Sequence, residues 1–212
     1  MLTAANVLQG VYPLWLSHIR AGREHRPVDP ESRGRDADST GIAGSEINLS
    51  NISTESLQRL GRTALIGLWL SLPSGQMPTD GMYEGRLLKA GPLHPASRFI
   101  THSLFAPDGC DLWIGKSIDT SGAQGQNRFR SRTGNEIDAR PFRVNLAESV
   151  LDRKPCITLD YSGNERIKNR FPWNGMKDEL RQLRPGMYLG LGSMIATGGP
   201  LNSALFVLQK VR

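Results

Sequence analysis

The chain has 212 residues, 26 Lys and Arg against 20 Asp and Glu, and a net charge of +6. That length suffices for one sizeable domain with appendages. Two cysteines, Cys110 and Cys156, are too few for a disulfide scaffold, and no apolar run approaches the ~20 residues of a membrane-spanning helix. The 23 glycines and 13 prolines point to many turns and so to a β-rich fold.

The charge is uneven. Residues 1–77 balance, and the whole excess lies in 78–212, where 13 of 19 cations are arginine. The planar guanidinium fork suits carboxylate or phosphate partners, although codon usage would produce the same bias.

Taken in order, residues 1–22 hold an apolar patch (Val7, Leu8, Val11, Leu14, Trp15, Leu16, Ile19) interrupted by Pro13. With no basic n-region, this start makes a poor signal peptide, so a cytoplasmic protein is expected. Residues 23–52 are polar, aperiodic and without an aromatic residue. Such a stretch has too little apolar surface to offset ordering entropy, so 1–52 is expected to be a flexible extension or linker.

Residues 53–72 read as an amphipathic helix. Ser53 is its N-cap, Glu55 lies in its first turn, and Leu57, Leu60, Ala64, Leu65 and Leu68 form its stripe. Pro73 stops it. From residue 80 the pattern changes to short strands between turn residues: 82–89, 98–105, 111–118, 126–132, 140–147, 155–161, 187–194 and 203–210. The alternation places Phe142, Val144 and Leu146 on one face and Arg143 and Asn145 on the other. Asn127 and Phe129 oppose Arg128, Arg130 and Arg132. Ile157, Leu159 and Tyr161 oppose Thr158 and Asp160. Strand 203–210 reads as buried on both faces. Residues 53–212 are therefore expected to form a mainly β domain, an antiparallel up-and-down barrel of about eight strands, with the N-terminal helix packed on it.

An internal echo appears. Gly81-Met82-Tyr83-Glu84-Gly85 matches Gly186-Met187-Tyr188-Leu189-Gly190. A second glycine within a strand marks a sharp bend or a close approach of another group. Helix, then Gly81-Met82-Tyr83 opening an up-and-down barrel, with Lys210 or Arg212 as a closing basic residue, resembles the calycins, the lipocalins and fatty-acid-binding relatives. Tyr83 stands where their pattern has Trp. The resemblance implies a barrel enclosing an apolar or amphipathic ligand.

The stretch Pro155–Met194 holds the densest mixture of Asp, Arg, Tyr and Trp. Met176–Arg184 reads as a short helix before the penultimate strand. Asn174 would be its cap, Asp178 and Glu179 fill the first turn, Arg181 and Arg184 the last, and Pro185-Gly186 ends it. Asp160 within a strand is unusual. It either starts the turn that follows or faces inward beside Tyr161, where Arg143 or Arg128 would pair with it. Phe171 and Trp173, with Arg170, would anchor a loop over the barrel mouth.

No phosphate loop or nucleophile elbow occurs, and neither a metal nor a cofactor is expected. The first functional reading is a binding protein for a small amphipathic, anionic or lipid-like molecule. Its candidate residues are His102, Arg128, Arg143, Asp160, Tyr161, Arg170 and Trp173. The alternatives are an enzyme in the same cavity, with Asp160 and Tyr161 or His102 as acid and base, and a nucleic-acid or protein interaction module on the basic face. On the first reading the partner is that small molecule, and nucleic acid is not expected.

Overall fold

The structure, a computed structural model, describes residues 49–89, 94–121, 123–163, 175–194, 199 and 203–211. These belong to one compact unit, Ile47–Arg212. The expected extension, up to residue 48, lies outside the described residues, as do Arg170, Phe171 and Trp173.

Eight strands form a closed antiparallel barrel in simple chain order. They are β1 (Gly81–Leu87), β2 (Cys110–Asp119), β3 (Gln124–Ser131), β4 (Glu136–Glu148), β5 (Pro155–Asp160), β6 (Lys177–Arg184), β7 (Met187–Ser193) and β8 (Ala204–Lys210). β1 closes on β8, with Tyr83 opposite Lys210 and Leu87 opposite Phe206. Closure removes both sheet edges.

Three expectations are corrected. Residues 176–184 do not form a helix: Lys177–Arg184 is β6, paired with β5 and β7. Without it β5 and β7 would each carry an unpaired edge, and that demand overrides the local helical charge order. Conversely, 98–105 is not a strand. Helix α3 (His94–Phe99) continues into a π-helical turn, Ile100–Leu104. Pro95 suits the first turn, where its missing N–H needs no partner. The expected single helix over 53–72 is two, α1 (Thr54–Gln58) and α2 (Arg62–Ser71). Ser53 caps α1 as expected, in a reciprocal pair with Ser56.

The alternation expected for β3, β5 and β8 holds. Asn127, Phe129, Ile157, Leu159 and Tyr161 are buried, and β8 buries Leu205, Phe206, Val207 and Leu208 from both sides. Two cores result. One fills the barrel with Tyr83, Trp113, Phe129, Phe142, Tyr161, Tyr188, Phe206 and their aliphatic neighbours. The other lies between the barrel wall and α1 and α2, where Leu57, Leu65, Leu68 and Trp69 meet Leu183, Leu189, Leu191, Leu205 and Val207. Arg181 pins this second core. It is fully buried, forms a bidentate pair with Asp152 (2.7 and 3.0 Å), donates to the Trp69 carbonyl at 3.0 Å and lies 4.9 Å from the Trp69 ring centroid. Cys110 and Cys156 are both free thiols.

The internal echo has a packing cause. Gly85 and Gly190 face large rings, and a Cβ there would stand 2.3 Å from Trp113 and 2.3 Å from Phe206 respectively. Those rings meet edge to face at 5.7 Å. Tyr83 and Tyr188, two residues before each glycine, also meet edge to face, at 6.1 Å. Their hydroxyls donate to the carbonyls of Thr79 and Gln76, so the segment entering β1 is tied across one barrel end. Gly190→Ala should therefore lower stability by roughly 1–3 kcal/mol through overpacking. Adding Phe206→Leu should restore part of that loss, read as non-additive urea midpoints.

Candidate functional site

The interior phase of three strands carries polar residues where apolar ones would be expected. Lys116 of β2, Asn127 of β3 and Asp178 of β6 all face inward, together with Tyr161, which follows β5. Lys116 is 1% exposed and Asn127 1% exposed, so water does not satisfy them.

They satisfy one another. The Lys116 ammonium donates three hydrogen bonds, to Asn127 Oδ1 at 2.7 Å, Tyr161 OH at 2.7 Å and Asp178 Oδ2 at 2.8 Å. The Tyr161 hydroxyl donates to Asp178 Oδ2 at 2.9 Å and accepts from Asn127 Nδ2 at 2.9 Å. Asn127 Oδ1 also accepts from Trp113 Nε1 at 3.0 Å, and its second amide hydrogen goes to the Arg140 carbonyl at 3.2 Å. Every donor of Lys116, Asn127, Tyr161 and the Trp113 indole is used.

Three rings surround the ammonium, Phe142 at 5.0 Å and Trp113 and Phe206 at 5.6 Å from its nitrogen, while Tyr161 meets it through its hydroxyl. Such faces attract a cation, most strongly when it is desolvated. Burial nonetheless pushes the Lys116 ammonium below its ordinary range, opposed by the Asp178 carboxylate. Burial, and then the same carboxylate, push the Tyr161 phenol well above its ordinary value.

A cover lies over this cluster. The β1–β2 connection inserts Phe105 edge-on against Phe129 and Tyr161, each at 5.8 Å. Arg140 holds it, donating through Nε to the Phe105 carbonyl at 2.9 Å, while its own carbonyl receives Asn127. Arg140 sits at φ 57 in the left-handed region, beside a β-bulge where β4 carries an extra residue against β3. A non-glycine residue there is strained, and such strain collects at sites the surroundings over-determine. His102 fastens the cover a second time, because its Nδ1 accepts the backbone N–H of Trp113 at 2.9 Å. That bond fixes the neutral ring with its proton on Nε2.

Of the residues singled out from sequence, Tyr161 enters the cluster and His102 joins its cover. Arg128 and Arg143 lie on the outer face instead. Arg128 pairs with Glu136 and approaches Asp138, and Arg143 stands opposite Asp160 on the neighbouring strand. Asp160 binds the Ser162 amide and hydroxyl, so it begins a turn. Asp160 and Tyr161 therefore face opposite ways and form no acid–base pair. Lys116, Asn127, Trp113 and Arg140 were not singled out, and Asp178 was assigned to the first turn of a helix. The available signal was phase. Lys116 alternates with Ile118, Asn127 with Phe129 and Asp178 with Leu180, each a polar residue in step with apolar ones. Among the described residues, no three His, Cys, Asp or Glu side chains converge as a metal site would need, and no helix is long and apolar enough to cross a membrane.

No family model matches the chain, and no curated protein matches it. Among solved structures, the chain is similar to a protein from Thermomonospora curvata. Identity is 20% over 71% of this chain and 88% of that one, with a TM-score of 0.44. That likeness carries no weight for fold or function, which rest on this chain's own strand pairing and side chains.

Two outcomes follow from the cluster's energetics. Lys116→Met alone strands the Asp178 carboxylate and should cost roughly 3–5 kcal/mol, whereas Lys116→Met with Asp178→Leu should be neutral or stabilising. Denaturant midpoints of the single and double variants check this. His102 supplies a pH dependence. Its folded pKa is lowered by burial and by Arg98 and His94, against a smaller opposing effect of Asp111. Its contribution is thus present above the ordinary histidine value of ~6.5 and lost as pH falls through the lower folded value. Exchange of the Trp113 amide, corrected for its intrinsic pH dependence, should accelerate across that acidic window. His102→Asn should abolish the acceleration.

Proposed function

We propose that this protein binds a compact, amphipathic small molecule bearing an anionic or hydrogen-bond-accepting group. The ligand's polar end meets Lys116, Tyr161 and Asn127, and its apolar part takes the place that Phe105 occupies beneath the cover. The carrying observation is the fully buried Lys116, ion-paired, hydrogen-bonded to Tyr161 and enclosed by three rings. Packing alone gives little reason for such a group, since well-packed apolar residues commonly stabilise a core as much or more. A buried charge with a perturbed pKa is, by contrast, frequent at functional sites.

The interior favours a compact ligand over a long acyl chain. Phe105, Phe129, Phe142 and Tyr161 pack edge to face at 5.5–5.8 Å, and a chain threading the barrel would have to break all of these contacts. The anion-binding role first assigned to Arg128 and Arg143 passes to Lys116, the inward cation. In architecture the reading sets this chain beside the calycins. Lys210, opposite Tyr83, stands where their closing basic residue is expected, and its Nζ donates to Thr79 Oγ1 at 2.6 Å.

Native mass spectrometry of protein purified from its own host should reveal a small bound molecule. Benzoate and 4-hydroxybenzoate should raise the wild-type melting temperature more than decanoate does, and the Lys116→Met, Asp178→Leu double variant should lose that response. If no molecule co-purifies and none of the three compounds shifts the wild type, the reading fails.

A further inference from the structure

We propose that Lys116 attaches carbonyl compounds covalently, condensing with a compact aldehyde or ketone to a protonated imine whose counter-ion is Asp178. The inference rests on the cluster being the ligand site and adds the chemical class of the ligand. Among the described lysines, Lys116 is the buried one, and lysine differs from arginine in being able to lose its proton and act as a nucleophile.

The neighbours supply each proton movement. Asp178 Oδ2, 2.8 Å from Nζ, takes a proton and leaves a neutral amine beside a neutral acid. The nitrogen lone pair attacks the carbonyl carbon, a C–N bond forms, and the carbonyl π pair moves onto oxygen. Tyr161 OH lies 2.7 Å from Nζ and 2.9 Å from Asp178 Oδ2, so it can relay protons between nitrogen, carboxyl and that oxygen. The twice-protonated oxygen leaves as water while the nitrogen pair closes the C=N bond. One ammonium and one carbonyl become one iminium and one water. Net charge is unchanged, so Asp178 keeps its role as counter-ion and no oxidant or reductant is required. The rings that enclose the ammonium also suit the iminium and keep out the water that would hydrolyse it.

The test treats the protein near neutral pH with benzaldehyde and cyanoborohydride, which reduces an imine to a stable secondary amine, and maps adducts by peptide mass. The expected result is one adduct per chain at Lys116, formed before any at the exposed Lys89 and Lys154. Tyr161→Phe should slow attachment at Lys116 by roughly a hundredfold while leaving the exposed lysines unchanged. Phe105→Ala, which unplugs the cover, should accelerate it. Adducts at exposed lysines with none at Lys116, in both the wild type and Phe105→Ala, overturn the proposal. If benzoate still raises the melting temperature in that case, the ligand site stands and only the covalent step is lost. If benzoate also fails, both are lost.

Discussion

Closure of β1 onto β8 is the constraint on which the rest of this structure depends. Once the ladder returns to its first strand, every residue between Gly81 and Lys210 that belongs to a strand acquires a fixed inside or outside. A one-residue slip would exchange those faces, so the apolar phase of each strand and the closed register reinforce one another. Closure also requires a strand between β5 and β7, and Lys177–Arg184 takes that place despite a charge order suited to a helix. The barrel curves tightly enough to fill its interior because Gly85 and Gly190 yield space to Trp113 and Phe206.

Within that closed wall the Lys116–Asp178 pair is the costly feature. Both ions lose their water, and the barrel returns this through mutual attraction, a complete set of hydrogen bonds and ring faces turned to the ammonium. The contrast with Arg181 and Asp152 is instructive. That pair also buries a guanidinium, yet it lies outside the barrel, where it fastens α2 to the wall through Trp69. One buried ion pair serves assembly. The other lies inside it, under a cover secured by Arg140 and His102.

The fold was largely legible in the sequence, and the site much less so. Alternation in 126–132, 155–161 and 203–210 gave the correct inward faces, and Ser53 gave the correct cap. The miss at 98–105 arose because Phe99, Ile100, Leu104 and Phe105 make an apolar cluster that fits a strand as readily as a helical cover. The miss at 176–184 arose because Asp178, Glu179, Arg181 and Arg184 fit a helix dipole, while their true partners, Lys116, Ser149, Asp152 and the Ile52 carbonyl, are distant in the chain. Arg128 and Arg143 drew attention by their charge, but they lie in the outward phase.

By itself the sequence determined the period-2 patterning and turn chemistry of seven of the eight strands, because these are local properties of side-chain volume, polarity and backbone freedom. Only the tertiary structure decided which polar residues share the interior. Lys116, Asn127, Tyr161 and Asp178 come from four strands or their ends, and phase, though it marks each as inward, does not say that the four meet. Their meeting is decided by the free energy of desolvation, which takes its value only when the barrel closes and removes water from all four at once.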